Sequence, residues 1–334
     1  MTPQKLLKKI IPWICFLFGT QLIADTLQQM THFNSQFIYA EKVEFVANQN
    51  NIISMTSPWG HFKVFDITTG ETLVSTYLGK MVLGFDYSHS LGLIASSTYN
   101  EGIILREVST GTIHKRFRTY ASDVRALAFS PDNKYIAAYH LDSGVYLYDM
   151  EVPTRELLVP SKRIKELHWS RDGKFLLAVS FASQIHIISV EKKEIIKVLN
   201  LQEVNGEPFN VSKIAFSPDF GFLAAYGYLW DQKKHMAFVA DLETLEVIHT
   251  PYVSNSRFTS IQFDQSMSNL ILTDELGGIK VLDLLQDKVI FETDAFTDSD
   301  DKRICSSALS LDGKVLAIAG KKSEGVLFYK LAPR

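Results

Sequence analysis

Carboxylates are the side chains whose grouping most invites chemistry in this chain. Asp294–Asp301 (DAFTDSDD) bring four of them into eight residues, close enough together to wrap a cation. The run lacks the alternating Asp/Asn spacing and following glycine that fold a loop round calcium, so it reads as a solvated connection. Glu44, Asp86, Asp123, Glu166 and Asp264 are further acids that could reach a central channel. They share no single position in the sequence repeat, and structural placement accounts for them. Nine histidines are scattered without an i, i+4 pair. The nucleophile elbow, the zinc-protease motif and the phosphate-binding glycine loop are all missing from the sequence. Cys15 and Cys305 offer neither a disulfide framework nor a metal spacing. The expectation is a chain with no catalytic residues, no metal and no cofactor.

Aromatic residues in polar loops invite a different chemistry, that of binding. They are Trp59 (SPWGH), Tyr99 (STYNE), Phe181, Phe209 (NGEPFNV), Tyr228 and Trp230 (YGYLWDQKKH) and Tyr252 (TPYVSNSR). Large side chains with polar neighbours are the usual anchors of protein interfaces. The two longest insertions, 202–212 and 226–236, fall in one repeat, and long loops on a rigid scaffold tend to carry function.

The scaffold comes from a phrase spoken most clearly at Phe129–Glu151, FSPDNKYIAAYHLDSGVYLYDME. An aromatic residue opens a polar turn, a small-residue apolar run follows, and alternation ends in an apolar residue plus Asp. Aligned on the residue before the turn, the phrase returns at Phe45, Phe85, Phe129, Trp169, Phe216, Phe263 and Leu309. Such a period predicts a radial array of seven four-stranded sheets. The small-residue runs, such as Tyr135–Tyr139 and Val315–Gly320, fit strands buried on both faces. The runs that follow, such as Gly144–Met150 and Gln184–Val190, alternate as half-buried strands do.

The chain resembles the WD-repeat family of seven-bladed β-propellers over roughly residues 35–331. FSPD at 129–132 and 216–219, WSRDGK at 169–174, LSLDGK at 309–314 and the endings Phe65-Asp66, Tyr148-Asp149, Ala240-Asp241 and Leu282-Asp283 carry the likeness. No unit ends in the Trp-Asp pair itself, so the repeats are degenerate. The resemblance implies an all-β propeller of four-stranded antiparallel blades whose last blade is closed by an N-terminal strand. Ser35–Ala40 (SQFIYA) is the expected closing strand, pairing with 325–330.

Residues 1–24 stand apart. Lys5, Lys8 and Lys9 precede the apolar run Ile10–Ala24, as in an export signal. The run is short of the roughly 20 residues a spanning helix needs. Leu22 sits where a small residue is preferred for cleavage after Ala24. The organisation expected is therefore an export signal or membrane anchor at 1–24, a linker at 25–34 and the propeller at 35–334. A net charge of −3 leaves no electrostatic footprint for nucleic acid.

Two functions follow as expectations. The first is a non-catalytic protein-interaction scaffold. It would be exported to a periplasmic or secreted location, or held at the inner membrane by its N-terminus, and would belong to a cell-envelope or secreted multiprotein assembly. The second is an exported propeller enzyme or small-ligand binder of the lactonase-like or quinone-dependent type, working from the central channel.

Overall fold

The computed structural model of the chain describes residues 28–33, 42–45 and 52–331, apart from 58, 80–81, 89, 99–100, 118, 120–122, 161–162, 218, 245, 250–251, 265, 296–302, 311 and 321–325. Strands and turns make up all of the described residues. Blade 1 holds β2 (Lys42–Phe45), β3 (Ile52–Thr56), β4 (His61–Asp66) and β5 (Thr72–Tyr77). Blade 2 holds β6 (Val82–Ser88), β7 (Leu93–Thr98), β8 (Gly102–Glu107) and β9 (Ile113–Phe117). Blade 3 holds β10 (Val124–Phe129), β11 (Tyr135–His140), β12 (Gly144–Asp149) and β13 (Arg155–Pro160). Blade 4 holds β14 (Ile164–Trp169), β15 (Phe175–Ser180), β16 (Gln184–Ser189) and β17 (Glu194–Asn200). Blade 5 holds β18 (Glu203–Val204), β19 (Glu207–Phe216), β20 (Phe222–Leu229), β21 (Lys234–Asp241) and β22 (Tyr252–Ser254). Blade 6 holds β23 (Phe258–Phe263), β24 (Asn269–Asp274), β25 (Gly278–Asp283) and β26 (Lys288–Asp294). Blade 7 holds β27 (Ile304–Leu309), β28 (Val315–Gly320) and β29 (Val326–Lys330), and is completed by β1 (Gln28–Phe33).

All the pairings are antiparallel, and every blade is a meander except blade 7, whose outer strand β1 comes from the other end of the chain. Six sheets, rather than the seven expected, have four strands, because the sheet of blade 5 gains the two-residue strand β18. Closure of the last blade by an N-terminal strand holds, but that strand is β1, with Gln28 opposite Lys330 and Phe33 opposite Val326. It lies inside the stretch read as linker, and the expected strand Ser35–Ala40 lies outside the described residues. The export segment 1–24 lies outside them too.

The sequence phrase turns out to be a hydrogen-bonding scheme. In the first turn, Ser130 Oγ donates to Asp132 at 2.7 Å and accepts from the N–H of Tyr135 at 2.9 Å. Ser170/Asp172, Ser217/Asp219 and Ser310/Asp312 repeat it at 2.7, 2.6 and 2.6 Å. The terminal Asp66, Asp149, Asp241 and Asp283 each accept the backbone N–H groups two and three residues on, closing the outer hairpin. The Thr68 hydroxyl, which also donates to Asp66, and then the N–H groups hold Asp66 below the ordinary carboxylate range, and the N–H of Val152 does the same for Asp149.

Apolar clusters lie between neighbouring blades, and every interface round the ring has one. Leu93, Ile103, Leu127 and Phe129 join blades 2 and 3; Val43, Phe45, Ala317 and Phe328 join blades 1 and 7. Blades therefore stabilise one another in a closed circuit, as stacked repeats do. The aromatic anchors sit in these clusters, with Phe129 8% and Trp169 7% exposed.

One alignment is corrected. Tyr87, not Phe85, is the anchor of blade 2: it pairs with Ile94 as Phe129 pairs with Ile136 and Trp169 with Leu176. A β-bulge in the inner strand is the reason. The pairing shifts at Leu83, Arg125, Lys165, Ser212, Thr259 and Cys305, always four residues before the anchor.

Candidate interaction face and axial channel

Each inner strand begins on one face of the ring, and the turn between the second and third strands returns to that face. Backbone bonds fasten the two: Leu141 N–H to Asp123 O at 3.1 Å, Phe181 to Arg163 at 3.0 Å, Trp230 to Pro208 at 3.4 Å and Glu275 to Arg257 at 2.8 Å. These turns present apolar side chains to solvent. Trp59 is 57%, Phe181 61% and Trp230 60% exposed. Leu276, in the blade 6 turn, is 65% exposed and was not among the sequence candidates. Its signal was its place beside Gly277-Gly278, one residue past the position that Phe181 holds in the blade 4 turn. Phe181, Trp230 and Leu276 thus form an arc over three consecutive blades.

The other candidates divide. Phe209 is not a surface residue: it is 3% exposed and meets Phe238 edge-on at 5.4 Å. The insertion that carries it is no loop, because β19 runs on to Glu207 and turns Phe209 into the blade 4/5 core. Tyr228 is half-buried, with Trp230 edge-on at 5.2 Å and His235 at 5.1 Å. Tyr252 is half-buried against Phe258. Tyr99 lies outside the described residues, as do residues 296–301 of the acidic run.

Blade 5 stands taller than its neighbours because β19, β20 and β21 have 10, 8 and 8 residues where most inner strands have 6. Gln232 Nε2 donates to both carboxylate oxygens of Glu207, at 2.8 and 2.7 Å, and ties the two projecting hairpins together. Trp230 is carried at the tip of that tab.

All seven inner strands line an axial cavity of about 760 Å³. With the register corrected, Glu44 and Asp86 do share a position, each one residue before its anchor. Asp86 accepts the N–H of Phe129 from the next blade at 2.6 Å, so it serves the fold. Asp123 pairs with Arg125 at 2.9 Å, and Asp264 caps the turn at Ser268 and Asn269 on the opposite face. Glu166 stands beside His168 at 3.3 Å. Burial pushes its pKa up, but His168, Lys213 and Lys165 hold it below the ordinary range, so it is ionised. The remaining wall, on blades 6 and 7, is hydroxyl and amide: Thr259, Ser260, Gln262, Ser306 and Ser307. Among the described residues no three His, Cys, Asp or Glu side chains meet as a metal site.

Comparison with known proteins agrees with this geometry. The family model for the WD domain, G-beta repeat, matches residues 111–149, and that for the anaphase-promoting complex subunit 4 WD40 domain matches residues 156–219. The first spans β9 to β12, an outer strand plus three strands of the next blade. A WD repeat-containing protein, SL1-17, of Schistosoma mansoni is 25% identical over 146 residues, 43% of this chain and 46% of that protein. The match thus covers about half of the relative's length. Repeat matches over residues 111–149 and 156–219, turn bonding and the ring of antiparallel blades make the chain similar to the WD-repeat β-propellers.

Proposed function

We propose that the chain is a non-catalytic protein-interaction scaffold, a closed wheel of seven blades exported through its N-terminal segment and part of an envelope or secreted assembly. The arc of Phe181, Trp230 and Leu276 carries this reading. Three large apolar side chains, exposed on turns that the blades hold rigid, are what an interface anchor requires. WD-repeat propellers generally act by binding other proteins, which supports the same conclusion. Export rests on Lys5, Lys8, Lys9 and the apolar run Ile10–Ala24.

The test is affinity capture from an envelope fraction with wild type and with Phe181→Ala/Trp230→Ala, followed by mass spectrometry. A partner retained by wild type and lost by the double variant is expected. Equal capture by both would overturn the assignment of the face. The same spectra report the mature N-terminus, and a chain found wholly in the cytoplasm would overturn export.

A further inference from the structure

We propose that the channel mouth over blades 3 to 5 is an anion site that receives an acidic side chain of the protein bound on the aromatic arc. This deepens the scaffold reading and rests on it.

Three cations occupy neighbouring places at that mouth: Arg125 and Lys165 at the bulges of β10 and β14, and Lys213 just after the bulge of β19. The bulge is what turns them there, since it adds one residue to the strand and re-aims its side chain. Lys165 is held in place: its Nζ donates to the carbonyls of Val211 at 2.6 Å and Ser212 at 3.2 Å on blade 5. An ammonium has three N–H donors, so one remains for a ligand. Burial lowers the pKa of Lys165, with Lys213 adding to the effect, so an arriving negative charge is favoured by both lysines. Lys213 makes no hydrogen bond or ion pair among the described residues.

Acids nearby do not cancel this arrangement. Asp123 answers Arg125, and Glu166 is shared by His168 and the two lysines, which leaves the mouth one charge positive. Glu44 and Asp86 lie three strand positions deeper, roughly 10 Å at 3.3 Å per residue. They stop an anion at the mouth and keep it from passing down the channel. The walls of the channel are protein, and a cleft lined by one sign of charge focuses its field. This local positive charge appears in a chain with 37 acids against 34 bases, so composition does not explain it. Phe181 and Trp230 flank the mouth on blades 4 and 5, and an acidic residue beside an apolar one would satisfy both features.

A fluorescein-labelled hexaglutamate peptide, with hexalysine as the control, tests the proposal on the full chain by fluorescence anisotropy. Hexaglutamate should bind, more weakly as salt rises, and hexalysine should not. Lys165→Gln/Lys213→Gln should weaken binding roughly tenfold or more. Lys213→Gln alone should weaken it too, without the structural bonds of Lys165 at stake. Lys192→Gln/Lys193→Gln on the opposite face should change nothing, and neither should Phe181→Ala/Trp230→Ala. Absent hexaglutamate binding, or binding indifferent to Lys213, overturns the site. Partner capture that depends on the aromatics but not on the lysines would leave the scaffold reading standing and sink this one.

Discussion

The indole N–H of Trp169 donates to the carbonyl oxygen of Ala128 at 3.0 Å, across the interface of blades 3 and 4. Inner strands do not pair with each other, so their channel-side edges need partners from elsewhere. Ser97 Oγ gives the same service to Val124 O at 2.8 Å. Trp169→Phe keeps most of the buried ring but strands a buried acceptor, and should destabilise by about 1–3 kcal/mol. Trp169→Ala should lose about 3–5 kcal/mol. Urea midpoints measure both; a Phe variant as stable as wild type would mean that water replaces the bond.

Closure by β1 predicts a distinct failure. Removing residues up to Phe33 leaves β29 as an open edge, with five residues no longer paired on one side. An exposed edge templates pairing with other chains. Amide exchange should speed up at 326–330 first, and size-exclusion chromatography with light scattering should show dimers or larger species. A monomeric truncation with unchanged protection at β29 would show that the strand is dispensable.

The ring was legible in the sequence because each turn is written in residues that bond to their own backbone. Ser-x-Asp and terminal Asp keep their spacing whatever their neighbours do. Register was harder. Phe85 and Tyr87 are both aromatic and two residues apart, and only the bulge at Leu83, a pairing property, decides between them. The closing strand was misplaced for a related reason, since QQMTHF carries no clearer strand pattern than SQFIYA, and only the partner strand chooses. Phe209 looked like a loop aromatic because Asn205-Gly206 reads as a turn; the hairpin it makes is real, and it folds Phe209 inward. The cationic mouth could not be read at all, because Arg125, Lys165 and Lys213 come together only through the ring.

Acid should weaken the fold through His140. Its Nε2 is 2.8 Å from the hydroxyl of Tyr148, and its ring is wholly buried. Burial first, then the charge of Arg155, lowers its pKa from 6.5 to about 4. The folded state therefore resists the proton that the unfolded chain accepts. Stability from this group is constant above pH 6.5, falls as pH drops toward 4, and is flat below that. One pKa unit corresponds to about 1.4 kcal/mol, so the full loss is on the order of 3 kcal/mol. Asp66 and Asp149, held low by their hydrogen bonds, lose their contribution only further down, below the unfolded carboxylate pKa. Urea midpoints at pH 7 and 5 should differ in wild type and differ less in His140→Phe; equal slopes in the two proteins would rule His140 out as the cause.

Blade 5's height depends on a close approach at Gly227. A Cβ there would collide with the backbone carbonyl of Asn210 and the ring of Phe209. Neither can retreat, because Phe209 is locked against Phe238 and Asn210 belongs to β19. Gly227→Ala should therefore destabilise by about 1–3 kcal/mol, the usual range for overpacking. The strain should also part β20 from β19 and displace Trp230, three residues further on. Amide exchange across 226–236 should accelerate more than in blade 3, and capture of the partner should fall although no surface residue has changed. Phe181→Ala, by contrast, removes a mostly exposed ring and should leave the urea midpoint within about 0.5 kcal/mol of wild type while weakening capture. A Gly227→Ala protein that is fully stable would show that the hairpins slide apart freely, and the tab would then be too loose to hold Trp230 as an anchor.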